Sequence, residues 1–134
     1  MTAIVIIAHA PLAGAFEDLL KHVYSDLQNV YAFNIHADEC RHSACRRITH
    51  LLLNSDNQNF LFLNDLIGAT PANITKDCVT VLREQHRNAQ AVFGLNACML
   101  ISSYANRQLD PIALSQKALN GANKGLQLLV TESA

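Results

Sequence analysis

His9 and Asp65 are the two residues whose settings suit covalent chemistry. In "AIVIIAHAPLAGAF" an apolar run over residues 3–8 meets His9, and Pro11 follows two positions later. Such a run reads as a buried strand, and the proline reads as the start of a helix. The imidazole therefore falls at the seam between them. In "NDLIGATPAN" Asp65 closes a second apolar run, and a small-residue turn follows at Gly68 and Ala69. Thr70 is the expected N-cap of the next helix, with Pro71 at its first position. A glycine-containing turn feeding a helix start presents backbone N–H groups and the positive end of a dipole, which suits an anion.

With a histidine and a carboxylate beside such a turn, phosphoryl transfer is the economical chemistry. A neutral imidazole is a nucleophile near neutral pH. A carboxylate that accepts from one ring nitrogen fixes the tautomer and leaves the other lone pair free to attack phosphorus. Amide and hydroxyl donors would hold the phosphoryl oxygens during in-line transfer. The bland alternative is that a lone histidine at a strand end is a structural or solvent-facing residue. Asp65 alone is likewise more often a turn or capping residue. Residue types and spacing by themselves support an anion or phosphoryl site and stop there.

The elements that must position these residues alternate along the chain. "AIVIIA" (3–8), "VYAFNI" (30–35), "FLFLND" (60–65) and "AQAVFGL" (89–95) read as strands. Helices are expected from Pro11 to about Tyr24, from about Glu39 to Asn54, from Pro71 to about Glu84 and over Ala97–Tyr104. The first of these would turn Leu12, Phe16, Leu19, Leu20 and Val23 to one face, and the third Ile74, Cys78, Val81 and Leu82. A further helix is signalled by Asp110 as N-cap, Pro111 at the first position and Gly121 near the end. "LQLLV" (126–130) is expected to form a short last edge strand. Four consecutive strand–helix units imply an α/β, doubly wound, mainly parallel sheet, and no linker or repeat divides residues 1–134. In the flavodoxin-like order 2-1-3-4 the first and third strands are neighbours, and ligands bind at their carboxyl ends. His9 and Asp65 occupy those two ends.

Composition excludes several classes. Of 134 residues, 50% are hydrophobic and 16% charged, with a formal net charge of −1. That is the balance of a folded domain, and no basic block points to nucleic acid or an anionic membrane surface. The opening apolar run is only strand length and has no basic leader, so neither a signal peptide nor a membrane span is expected. Cys40, Cys45, Cys78 and Cys98 lie within or beside expected helices and do not punctuate loops. They read as reduced thiols in a cytoplasm.

"IHADECRHSACRRITH" gathers His36, Cys40, His42, Cys45 and His50, which raises metal binding. It holds no Cys-x-x-Cys pair and no His-x-x-x-His pair, so a polar helix face with a half-buried cysteine is the simpler reading. His42 and Cys45 would share one helix face, and Arg46 and His50 another. Arg46 and Arg47 fit a solvated face or a dock for an acidic partner. Cys98 reads as a small buried residue and Asn96 as an N-cap. His22 and His86 read as surface positions on helices.

The chain resembles the EIIA domain of the mannose/fructose-type (EIIA-Man) phosphoenolpyruvate-dependent sugar phosphotransferase system. In that family the first strand typically runs into Ser-His-Gly and Pro-Leu-Ala, matched here at His9, Pro11, Leu12 and Ala13. The third strand typically ends Asp-Leu-Phe/Trp-Gly-Gly-Thr/Ser-Pro-x-Asn, matched at Asp65, Leu66, Gly68, Thr70, Pro71 and Asn73. A third motif keeps Gly94, Asn96, Met99 and Leu100. The resemblance implies that His9 is phosphorylated by the carrier HPr, with Asp65 holding its imidazole and the phosphoryl group passing to a histidine of an EIIB domain. Thr70 and the backbone amides around Leu66, Gly68 and Ala69 would line the phosphoryl pocket. It further implies a homodimer, in which 126–130 is the candidate for a swapped edge strand, and transfer without metal or organic cofactor.

The chain departs from the family at Ala10 and Ala69, where glycine is usual, and at Ala97-Cys98, where Leu/Ile-Pro is usual. An alanine at a position that needs φ > 0 would be strained or would change the turn. Two other functions fit parts of the pattern. One is the phosphoryl-donor subunit of a dihydroxyacetone kinase, which typically carries a Gly-Ser turn after the third-strand aspartate, so "DLIGATPAN" favours the carrier. The other is a non-catalytic regulatory interaction module in which His9 is incidental.

Overall fold

The structure is a computed structural model that describes residues 1–130. Strands β1 (Ala3–His9), β2 (Val30–Ile35), β3 (Asn59–Asn64) and β4 (Asn88–Phe93) alternate with helices. These are α1 (Leu12–Val23), α2 (Arg41–Leu53), α3 (Thr70–Glu84), α4 (Ala97–Ala105) and α5 (Pro111–Lys124). All strand pairs are parallel and the sheet order is β2-β1-β3-β4. The doubly wound α/β fold and its 2-1-3-4 order are thus as the sequence implies.

The continuous apolar runs arise because β1 and β3 are central strands covered on both faces. Side chains alternate between faces along each strand. Val5, Ile7, Phe60 and Phe62 therefore pack under Ile48 and Leu52 of α2 and Ile74, Cys78 and Leu82 of α3. Ile4, Ile6, Leu61 and Leu63 face α1, α4 and α5, meeting Leu20, Leu100, Leu114 and Ala118. Burying one such aliphatic or aromatic side chain contributes about 1.5–3 kcal/mol. The strand interiors therefore dominate the core.

Several local expectations shift. Helix α1 starts at Leu12, with Pro11 as its N-cap residue, and Leu12 and Val23 at its ends are exposed. Pro11 has no side-chain oxygen to cap with. Instead Asn34 of β2 reaches across, its Oδ1 accepting from Gly14 N at 3.1 Å. At α3 the cap position is Ala69, so Thr70 already lies in the first turn and Pro71 follows it. Helices α4 and α5 begin as expected, with Asn96 Oδ1 accepting from Met99 N and Asp110 Oδ1 from Ala113 N. His86 lies beyond α3 in a left-handed turn, φ 62°, where the backbone leaves the helix to enter β4.

Residues 126–130 form no strand. They follow the C-terminus of α5 without regular secondary structure, and Leu126, Leu128, Leu129 and Val130 are exposed. An isolated edge strand needs a neighbour to satisfy its backbone, and no described strand pairs with this segment.

The close approach of α4 and α5 explains one glycine. A Cβ at Gly121 would lie 2.5 Å from Ser102 Cβ and 3.3 Å from the Cys98 carbonyl oxygen. Gly121→Ala should therefore force the helices apart and lower stability by about 1–3 kcal/mol. Urea denaturation followed by circular dichroism measures this, and an unchanged midpoint would contradict it.

Candidate functional site at the carboxyl ends of β1 and β3

Because β1 and β3 are neighbours, the residues that end them come together. His9 is the last residue of β1, and Asp65 directly follows β3. His9 Nδ1 lies 2.7 Å from Asp65 Oδ2, and the same oxygen accepts from the His9 backbone N–H at 3.1 Å. The other oxygen, Oδ1, accepts from Leu66 N at 2.9 Å. The carboxylate is thus held at both oxygens and its side chain is only 8% exposed, whereas the His9 side chain is 42% exposed. A carboxylate accepts only, so Nδ1 must carry the ring proton in the neutral imidazole. The Nε2 lone pair is therefore available on the ring's other side.

The loop after Asp65 turns through Gly68, whose φ of 78° lies in the left-handed region. Only that position in the loop needs glycine. Ala69 has φ −98°, and Ala10 is not among the residues of positive φ. The two alanines that replace usual glycines are accommodated without left-handed backbone. No side chain caps α3, so its first-turn amides are not claimed by a cap as those of α4 and α5 are. Such uncapped N–H groups suit an anion. Thr70 is exposed in this turn and stands five residues beyond Asp65. The Leu66 amide, expected from the sequence among the anion-binding donors, instead donates to Asp65 Oδ1.

The histidine–cysteine segment does not converge. Cys45 is buried in the core while His42 on the same helix is exposed, so the two do not share a face toward one ligand. Arg46 and His50 are both exposed, as their spacing implies. Arg47 pairs with Glu39 at 3.1 Å, and His50 Nε2 meets Asn54 Nδ2 at 3.2 Å. Among the described residues no three His, Cys, Asp or Glu side chains gather in a metal-binding group. Burial pushes the Cys45 thiol up, and burial followed by the neighbouring Cys45 pushes Cys78 up, so both stay protonated at neutral pH. Cys98, in the first turn of α4, is exposed, not buried.

Two side chains near the site carry roles that motif spacing does not assign. Asn34 supplies the missing cap of α1, and Asn64 bonds both β1 and α3. The signal for Asn64 is legible: it is a polar residue in the otherwise apolar run "FLFLN".

A cleft of about 830 Å3 lies elsewhere, lined by Arg83, Arg87, Gln90, Asp110 and Ile112 among others. It is at the amino end of β4, the opposite end of the sheet from His9. His9 instead sits on an open surface beside the exposed apolar side chains of Leu12, Leu66 and Ile67. No helix among the described residues is long and apolar enough to cross a membrane.

Comparisons with known proteins agree with this architecture. The phosphotransferase system component EIIA from Streptococcus agalactiae is similar over 95% of this chain and 96% of its own, at 21% identity and a TM-score of 0.85. The mannose/sorbose specific IIA subunit from Enterococcus faecalis covers 99% of this chain and 98% of its own, at 16% identity and a TM-score of 0.86. The PTS IIA protein associated with the fucose utilization operon of Streptococcus pneumoniae covers 94% and 92%, at 22% identity and a TM-score of 0.69. At these identities the likeness is one of fold. No curated protein matches the chain in sequence. Family assignment rests on a different comparison: a family model described as PTS system fructose IIA component matches residues 3–118, a span that includes both strand ends and the α3 turn. The chain therefore belongs to the EIIA-Man family of phosphotransferase system components.

Proposed function

We propose that this protein is a histidine phosphocarrier: His9 accepts a phosphoryl group from an HPr-type protein and passes it to a histidine of an EIIB domain or protein. The setting is sugar uptake or a linked regulatory branch in the cytoplasm, with residues 1–134 acting as one phosphocarrier domain. The observation that carries this reading is the exposed His9 ring held through Nδ1 by the buried Asp65 carboxylate at 2.7 Å.

The geometry supports attack through Nε2. Its lone pair forms the new N–P bond as the donor's N–P bond breaks, and the donor imidazole keeps that electron pair. The phosphorylated ring then carries a proton on Nδ1 and a positive charge, which Asp65 offsets. The α3 amides and Thr70 are suited to hold the phosphoryl oxygens, with Gly68 and Ala69 shaping the turn that presents them. Reversal of the same step toward an EIIB histidine needs no metal or organic cofactor. An open site suits this role, since the phosphoryl group must reach a residue on another protein. Leu12, Leu66 and Ile67 give it an apolar rim for docking.

The reading includes a homodimer. Strand β4 has one neighbour in the sheet, and the exposed apolar residues of 126–130 are of a kind that adds to an open edge. Incubation with phosphoenolpyruvate, enzyme I and HPr is the direct test. The expected result is an acid-labile mass gain of one phosphoryl group. Protein that stays unlabelled with cognate HPr would overturn the proposal.

A further inference from the structure

We propose that Asn64 is a positioning residue that holds the nucleophile strand, the carboxylate and the α3 amides in one arrangement, an inference that rests on the phosphocarrier reading. Main-chain pairing between β1 and β3 ends at Ile7 and Asn64, two residues short of His9. At that point the Asn64 side chain takes over. Its Nδ2 donates to the Ile7 carbonyl oxygen at 2.8 Å and to Thr75 Oγ1 at 2.7 Å. One carboxamide thus joins the end of β1, which carries His9, to α3, whose first turn follows Asp65 by five residues. The Asn64 carbonyl oxygen also accepts from Leu95 N at 2.8 Å, fixing the start of the loop that follows β4.

Core stability alone does not account for this residue. Asn64 and Thr75 are both fully buried, on the face where Phe60, Phe62, Ile74 and Cys78 pack. Asn64 Oδ1 has no hydrogen-bond partner there. A buried acceptor without a donor is a net cost. A β-branched apolar side chain would avoid that cost and suits a central strand. A local rule broken next to the candidate nucleophile is what positioning requires, because conflicts between packing and polarity gather at functional sites. The next residue along β3 is Asp65, whose contact with Nδ1 depends on the separation of the two strand ends that Asn64 sets.

The test compares Asn64→Val, Thr75→Val and Thr75→Ser in the full chain. Thr75→Val matches the native shape and removes one bond, so it remains informative should Asn64→Val fail to fold. Two readouts are taken: the 15N shifts of the His9 ring, which report the tautomer, and the single-turnover rate of phosphorylation by phospho-HPr. Wild type should show protonated Nδ1 and bare Nε2. Asn64→Val should mix the tautomers and slow phosphorylation about tenfold to a hundredfold, the scale known for losing an outer-shell residue that orients a metal-bound ligand. Thr75→Val should move both readouts in the same direction by less, and Thr75→Ser should restore both. Lower urea midpoints with unchanged tautomer and rate would overturn the proposal and leave Asn64 a packing residue. Were wild type itself not phosphorylated, the carrier reading would fail, while the tautomer readout would still decide the role of Asn64.

Discussion

His9→Ala is expected to abolish acid-labile labelling by phospho-HPr, whereas His36→Ala and His42→Ala keep it. The expected loss exceeds about 1,000-fold, since removing a nucleophile leaves no group to form the covalent intermediate. The fold should survive. The His9 side chain is 42% exposed, and the Asp65 carboxylate keeps the His9 backbone N–H and the Leu66 N–H as donors after the ring is gone. The cost to stability is then one partly exposed hydrogen bond, about 1 kcal/mol. Circular dichroism and a urea midpoint check that the variant is folded. Wild-type labelling in His9→Ala would place the phosphoryl group on another residue.

Asp65→Asn should have the second largest effect, and its size separates orientation from charge. An amide in place of the carboxylate can turn its NH2 toward Nδ1, which must then accept and pass the proton to Nε2. The attacking lone pair is lost in that tautomer, and the negative charge that offsets the phosphorylated ring is lost as well. A fall of about 100-fold to 10,000-fold in the single-turnover rate is expected, with the affinity for phospho-HPr unchanged. Asp65→Ala should be slow too and less stable by about 1–3 kcal/mol, since two backbone amides lose their acceptor. Rates equal to wild type in both variants would remove Asp65 from the mechanism.

Much of this fold is legible in the order of its elements. Central parallel strands are buried on both faces, so β1 and β3 announce themselves as uninterrupted apolar runs. The proline and asparagine or aspartate caps of α4 and α5 mark those starts for a local reason: cap geometry depends on a few consecutive residues. Local rules were less reliable where a distant group intervenes. Helix α1 starts one residue after Pro11, with its amide at Gly14 satisfied by Asn34 of another strand, and Thr70 does not cap α3 because the turn through Gly68 makes Ala69 the boundary. The 126–130 segment has strand composition and no strand, since composition supplies no pairing partner. Cys45 and His42 lie three apart on one helix, yet packing against α3 buries one and leaves the other in solvent.

The candidate site divides the same way. Residue type and position at strand ends singled out His9, Asp65 and the turn before α3, because nucleophile, acceptor and helix start each have a short-range signature. Sequence order alone could not bring His9 to Asp65, which stand 56 positions apart along the chain. The neighbouring of β1 and β3 does that, and it comes from burying apolar surface over the whole sheet. The proton on Nδ1, the engagement of the Leu66 amide and the Asn64 bridge from Ile7 to Thr75 are likewise decided in three dimensions, because hydrogen bonds depend on distances that no local pattern contains.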